Sequence, residues 1–280
     1  MTALVAGLLD DAAMFPPGEL PLPEAVRAHA RHRAAPHAGA VGPLVVAAPA
    51  LARLRAADPD GTTALSVTVP DGPVGVAAVL AELAETRFSL RALEIPVPAE
   101  LGGEQLRAAL AGVREATATE IYVEVPRDGR RPEVLAVLGP LGCRAKFRTG
   151  GVRAELHPDE AELAAAIAEV VRRELPFKAT AGLHRAIRNT APGTGFEQHG
   201  FLNILLAVDA ALGGAPVPDL VAVLADRDGA GLAAQVAGLG AERIAAARAR
   251  FTSFGTCSID EPLADLAALG LTDDGRGATQ

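Results

Sequence analysis

The chain has 280 residues, half of them apolar, and a formal net charge of −8; that length suits one α/β barrel and supplies a large core. The acidic balance, with no basic stripe carrying interleaved aromatics, argues against a nucleic-acid partner. Cys143 and Cys257 lack metal-ligand spacing, and two thiols do not make a disulfide framework.

The start, "MTALVAGLLDDAAMFPPG", has no basic n-region, and Asp10 and Asp11 break its apolar run. Neither a signal peptide nor a membrane span is expected there, and the reading is cytoplasmic. Beyond it, short β-branched runs alternate with Ala/Leu-rich helical stretches. A strand at 7–11 precedes a helix at 22–33, and a strand at 44–49 a helix at 50–57. Strands at 64–70 and 92–98 are followed by helices at 73–86 and 103–117. The strands at 121–126 and 143–150 lead into helices at 131–139 and 159–174. The last two, at 176–182 and 250–255, precede helices at 199–213 and 262–269.

Eight βα units in a chain of this size predict an α/β fold, a single (β/α)8 TIM barrel. The segment 183–249 carries several short Ala-rich helices and no strand pattern. It is expected as a helical insertion between strands seven and eight, over one barrel end, serving as a lid or a homo-oligomer contact. The tail 272–280 is expected to fray.

Alternation within the strands sets what faces inward. In "LSVTV" one face carries Leu65, Val67 and Val69, the other Ser66 and Thr68. In "LEIPV" Leu93, Ile95 and Val97 oppose Glu94, and in "IYVEV" Ile121, Val123 and Val125 oppose Tyr122 and Glu124. A barrel strand turns one face to the helices and the other to the interior. The apolar set should meet the helices, which leaves a polar interior. By the same parity Phe147 and Phe177 face out, and Lys146 and Lys178 face in.

Those are the only lysines among 26 basic side chains of Lys and Arg. A charge that needed only a counter-ion could have been arginine, as it is elsewhere; an amine offers nucleophilic chemistry as well. Neighbouring strands lie about 4.8 Å apart, so the two amines are expected to depress one another's pKa, as Schiff-base chemistry requires. Glu94 and Glu124 are placed for proton transfer. The residues alone also allow a structural network in which lysines and glutamates neutralise each other.

The strand-six run Lys146-Phe147-Arg148-Thr149-Gly150 fits a Lys-x-x-Thr-Gly motif, and Lys178-Ala179-Thr180-Ala181-Gly182 follows 32 residues on. With "LLDD" at 8–11 offering Asp10, "LEIPV" with Glu94, "YVEVP" with Glu124 and "FGTCS" at 254–258, the chain resembles the class I deoxyribose-phosphate aldolases. It is also similar to actinobacterial proteins that carry the same motifs. The resemblance is collinear along nearly the whole barrel and implies a metal-independent Schiff-base lyase with no cofactor. Carried over, Lys146 forms the imine, Lys178 tunes it, and Glu94 shuttles protons with Asp10. Thr149, Gly150, Thr180, Gly182, Gly255 and Ser258 then belong to the substrate pocket, the last three-residue group, Gly182, Gly255 and Ser258, at its phosphate end. His184, directly beyond Gly182 and Leu183, is placed there too.

Four residues depart from the family pattern. Glu94 stands where the family has Asp. Arg148 replaces a small residue and can clamp a carboxylate or phosphate. Asp260 and Glu261 crowd the helix start where a phosphate would sit.

Outside this set, His29, His32 and His37 alternate with Arg near the first long helix and read as a solvated face, and no His, Cys or acidic spacing marks a metal site. Asn203, at a helix start, is expected to face the pocket. The leading expectation is an aldolase or lyase acting on a small carbonyl metabolite. The alternatives are an isomerase or decarboxylase using the lysines as acid or base without an adduct, and a non-catalytic barrel that binds an anionic metabolite.

Overall fold

The period-two runs become eight strands, all paired in parallel, that close on themselves. In the computed structural model, which describes residues 2–272, they are β1 (Leu9–Asp11), β2 (Val41–Ala47), β3 (Ala64–Thr68) and β4 (Ser89–Pro96), followed by β5 (Glu120–Glu124), β6 (Arg144–Arg148), β7 (Phe177–Thr180) and β8 (Phe251–Thr256). Each neighbours the next in sequence, and β8 returns to pair with β1. The chain is therefore an α/β barrel of the TIM type. The part of the tail beyond Thr272 lies outside the described residues.

Helices wrap the barrel: α1 (Thr2–Val5), α2 (Leu22–Ala34), α3 (Leu51–Ala57), α4 (Val76–Ala84), α5 (Gly103–Ala116), α6 (Arg131–Leu138) and α7 (Glu160–Arg172). The outward strand faces supply the core beneath them. Leu65, Val67, Leu93, Ile95, Ile121 and Val123 are fully buried, and Phe147 and Phe177 pack ring to ring at 5.4 Å. Inward and outward sides thus fall as strand parity dictates.

Between β7 and β8 the chain forms a two-residue-per-strand hairpin, Asn189–Thr190 with Glu197–Gln198, and then α8 (Phe201–Leu212), α9 (Val217–Ala225), α10 (Gly229–Gly238) and α11 (Gly240–Arg250). Helix α8 packs on α7 and β8, the position of an ordinary crossover helix, while α9 lies against α7 and α8, and α11 against α8 and α1. The extra material is therefore the hairpin and α9 to α11, which thicken the helical layer. The last described helix is α12 (Asp260–Ala268). Among the described residues no helix is long and apolar enough to cross a membrane.

Candidate active site

Register brings the two lysines side by side: Lys146 on β6 pairs with Lys178 on β7, Glu124 on β5 is level with Lys146, and Ser253 on β8 is level with Lys178. Glu94, on β4, reaches across the barrel between the amines. Its Oε2 lies 2.8 Å from Lys146 Nζ and its Oε1 2.6 Å from Lys178 Nζ. Each oxygen serves one amine. Ser66 Oγ donates to Glu94 Oε1 at 2.7 Å. Lys178 Nζ also donates to Asp10 Oδ2 at 2.5 Å, which takes a further bond from Ser253 Oγ at 2.8 Å.

Asp10 can turn inward because position 42 of the next strand is glycine. A Cβ there would sit 2.2 Å from Asp10 Oδ1. A glycine inside a strand marks such a close approach, so this supporting residue left a signal in the sequence that was not read. Ser253 left one too, since it shares the parity of Gly255.

Below the lysines, Tyr122 lies under Lys178, with Nζ 5.3 Å from the ring centre. Its hydroxyl sits between Glu120 and Thr252 and accepts from Arg144. Above them, Lys146 Nζ is 3.0 Å from Glu124 Oε2, and Glu124 Oε1 accepts from Arg148 Nε at 3.0 Å. Side-chain exposure rises along this line, from 1% at Lys178 and 7% at Lys146 to 23% at Glu124 and 34% at Arg148. The network therefore opens at the C-terminal ends of the strands, the face where barrel enzymes place their chemistry. Of the two amines, Lys146 is the one nearer that opening.

The mutual depression expected of the lysines is reversed. Burial pushes the Lys146 amine down, but Glu94 and Glu124 outweigh burial and hold it above the ordinary lysine value, with Lys178 only a minor opposing charge. Burial likewise lowers Lys178, and Asp10 and Glu94 overcome it. Burial raises the carboxylates, yet the two lysines hold Glu94 well below its usual range, and Lys146 and Arg148 outweigh burial to lower Glu124 as well. Asp10 is different: burial dominates, and its pKa stays raised despite Lys178. Opposite charge at hydrogen-bond distance decides the sign for both amines, because each has two carboxylates within 3.0 Å.

The remaining residues of the motif have other tasks. Thr149 is buried, and its hydroxyl donates to Ala181 O at 2.6 Å while its amide donates to Thr180 O at 2.9 Å. Gly150 and Gly182 meet backbone to backbone; a Cβ on Gly150 would sit 2.7 Å from Gly182 Cα, and Gly182 adopts φ +73°. The Thr-Gly pair and the strand-seven glycine thus clasp β6 to β7 and fix the heights of Lys146 and Lys178. Thr180 faces Gly255 across β7 and β8 near the opening. His184 Nδ1 lies 3.6 Å from Cys257 Sγ and 3.7 Å from Glu261 Oε2, and burial lowers its pKa. Ser258 Oγ accepts from Glu261 N at 3.3 Å in the turn that starts α12.

Two further expectations are corrected. His29 is no solvated side chain: it is 4% exposed, and its Nδ1 lies 3.0 Å from Asp11 Oδ2 beneath α2. Asp10 and Asp11 therefore part, one into the barrel and one to the helix. Asn203 does not face the pocket either. Its Oδ1 accepts from Arg188 N at 2.9 Å, and its Nδ2 donates to Val223 O and Asp226 O at 2.8 Å, tying α8 to the added helices.

Fold and site together define a (β/α)8 barrel with a lysine–carboxylate interior whose exposure rises towards the C-terminal ends of the strands. Neither known family models nor curated proteins give a match to the chain.

Proposed function

We propose that the protein is a Schiff-base-forming lyase of the aldolase type that acts on a small carbonyl compound, with Lys146 as the amine that forms the imine. The observation that carries this reading is the sharing of Glu94 between two inward lysines, only one of which approaches the opening. Lys146 Nζ attacks the carbonyl carbon as the neutral amine, one proton passes from that nitrogen to the carbonyl oxygen and a second reaches the oxygen from solvent, and water leaves to give an iminium cation. The electrons of the breaking C–C bond flow into that cation, and Glu124, partly exposed, carries protons in and out. Glu94 stabilises the iminium as it does the ammonium, because both place one positive charge at the same nitrogen. Lys178 keeps Glu94 anionic and fixed. Arg148, at the rim, suits a substrate with a carboxylate or phosphate. Glu261, at the start of α12 and 3.7 Å from His184 Nδ1, opposes an anion on that side.

A second reading has an observation of its own. Both amines hold their protons tightly, which suits an acid in isomerisation or decarboxylation without any adduct. Borohydride trapping with a panel of small aldehydes, ketones and keto acids separates the two. The expected result is a reduced adduct mapped to Lys146 that disappears in Lys146→Arg, since Arg keeps the charge but cannot form the imine. Adducts that are absent, or that fall on Lys178 and the N-terminal amine, would remove the aldolase reading and leave the proton-transfer one.

A further inference from the structure

We propose that His32, His37 and Asp260 form a binding site for a zinc-type divalent cation on the outside of the barrel, separate from the lysine interior. His32, in the last turn of α2, points Nδ1 at His37 Nε2 across 3.2 Å, with ring centres 5.4 Å apart and planes tilted by 48°. Asp260, the first residue of α12, brings Oδ1 to 3.9 Å from the same His32 nitrogen, and one donor atom from each of the three lies within 4.8 Å of the others.

Metal–nitrogen bonds of about 2.0–2.1 Å at tetrahedral angles set donor atoms roughly 3.3 Å apart. The imidazole pair already has that spacing. The carboxylate is slightly far, but it is 78% exposed and free to swing inward, whereas His32 is only 19% exposed and held. A hydrogen bond between the rings satisfies two of these groups; a cation satisfies all three. An imidazole carries its N–H on one nitrogen and a lone pair on the other, so the ring that donates inward can present the lone pair by moving its N–H to its outer nitrogen. Two imidazoles and one carboxylate suit zinc or cobalt in preference to magnesium or calcium, and they leave a fourth position for water.

The location gives the site a task. Helix α2 follows β1 and α12 follows β8, and β1 with β8 is the pair that joins the first and last strands. A cation here staples the two helices outside that seam.

The test is zinc titration of tag-free protein by calorimetry, cobalt absorption in the visible, and thermal unfolding. One zinc per chain is expected, with tetrahedral cobalt bands and a Tm rise on the order of 5 °C at 100-fold excess over Kd. His37→Gln and Asp260→Asn, neither in the buried core, should each weaken binding at least about tenfold while leaving the metal-free Tm unchanged. Absence of stoichiometric binding, or binding that both variants leave intact, overturns the assignment.

Discussion

Among the described residues, two of the buried charged networks are wired differently. Under the added helices, His199 Nε2 donates to Pro158 O at 2.9 Å, Asn203 bonds three backbone groups, and Arg188 donates to His199 and pairs with Glu160. Most of those links end on the main chain, so the network pins segments of the fold. Inside the barrel, Asp10, Glu94, Glu124, Lys146 and Lys178, with Ser66 and Ser253, bond side chain to side chain. Such links hold no loop in place. They position functional groups against one another, on strands that the barrel's own ladder already fixes. A network that positions chemistry can be told from one that positions chain by where its hydrogen bonds end.

The largest test of this contrast removes one charge from the barrel. Lys178→Met leaves the Asp10 and Glu94 carboxylates short of their shared cation in a site with 1% exposure. Removing one partner of a buried ion pair costs about 3–5 kcal/mol, and urea unfolding should show a loss in that range. Adding Asp10→Asn should recover part of it, because the carboxylate left stranded is then gone. A loss under about 1 kcal/mol would mean that charge pairing does not hold the interior together.

The second test addresses the other network. Burial and Arg188 lower the His199 pKa to about 4, against an ordinary value of 6.5. The ring is neutral in the fold, its Nε2–H on Pro158 O and its Nδ1 facing Arg188 NH1 at 3.3 Å. As pH falls from 6.5 towards 4, the unfolded chain takes a proton at His199 that the folded chain refuses. Stability from this group is therefore full above pH 6.5 and is lost as pH falls through the window, by about 3 kcal/mol in all. The pH dependence of urea unfolding in His199→Gln should lack that component, and borohydride trapping should be unchanged. Loss of trapping in this variant would break the separation between the networks.

Much of this was legible in the sequence, and the limit has a physical cause. Strand parity is a local property of the pleat, so the inward set of Ser66, Glu94, Tyr122, Glu124, Lys146 and Lys178 could be read from runs of five residues. The barrel followed from βα alternation. What failed depended on distances between segments far apart in the chain. The sign of the lysine shifts turns on Glu94 reaching both amines, and Asp10 reaches Lys178 only because position 42 is glycine. His29 is buried against Asp11 at the end of β1, and Asn203 is turned away by the backbone of helices that the pattern shows only as short Ala-rich runs. The Thr149-Gly150 and Gly182 motif was found, but its work as a backbone clasp shows only when the strands lie side by side.

The smallest effect bears on how the positioned amine is made reactive. With its pKa held above the ordinary lysine value by Glu94 and Glu124, Lys146 is neutral in only a small fraction of molecules near pH 7. That fraction grows tenfold per pH unit, about 1.4 kcal/mol each, for as long as the pH stays below the pKa. The initial rate of imine formation, quenched and read by mass, should therefore climb about tenfold per unit between pH 7 and pH 9 without a plateau. Glu94→Gln removes the charge both amines share, so Lys146 should titrate lower and its rate should level off earlier, even though the protein is less stable. A wild-type plateau below pH 8 would show that a carboxylate accepts the amine's proton once substrate is bound. The interior would then act as an internal base and not merely as a counter-charge, which would sharpen the contrast with the chain-pinning network around His199.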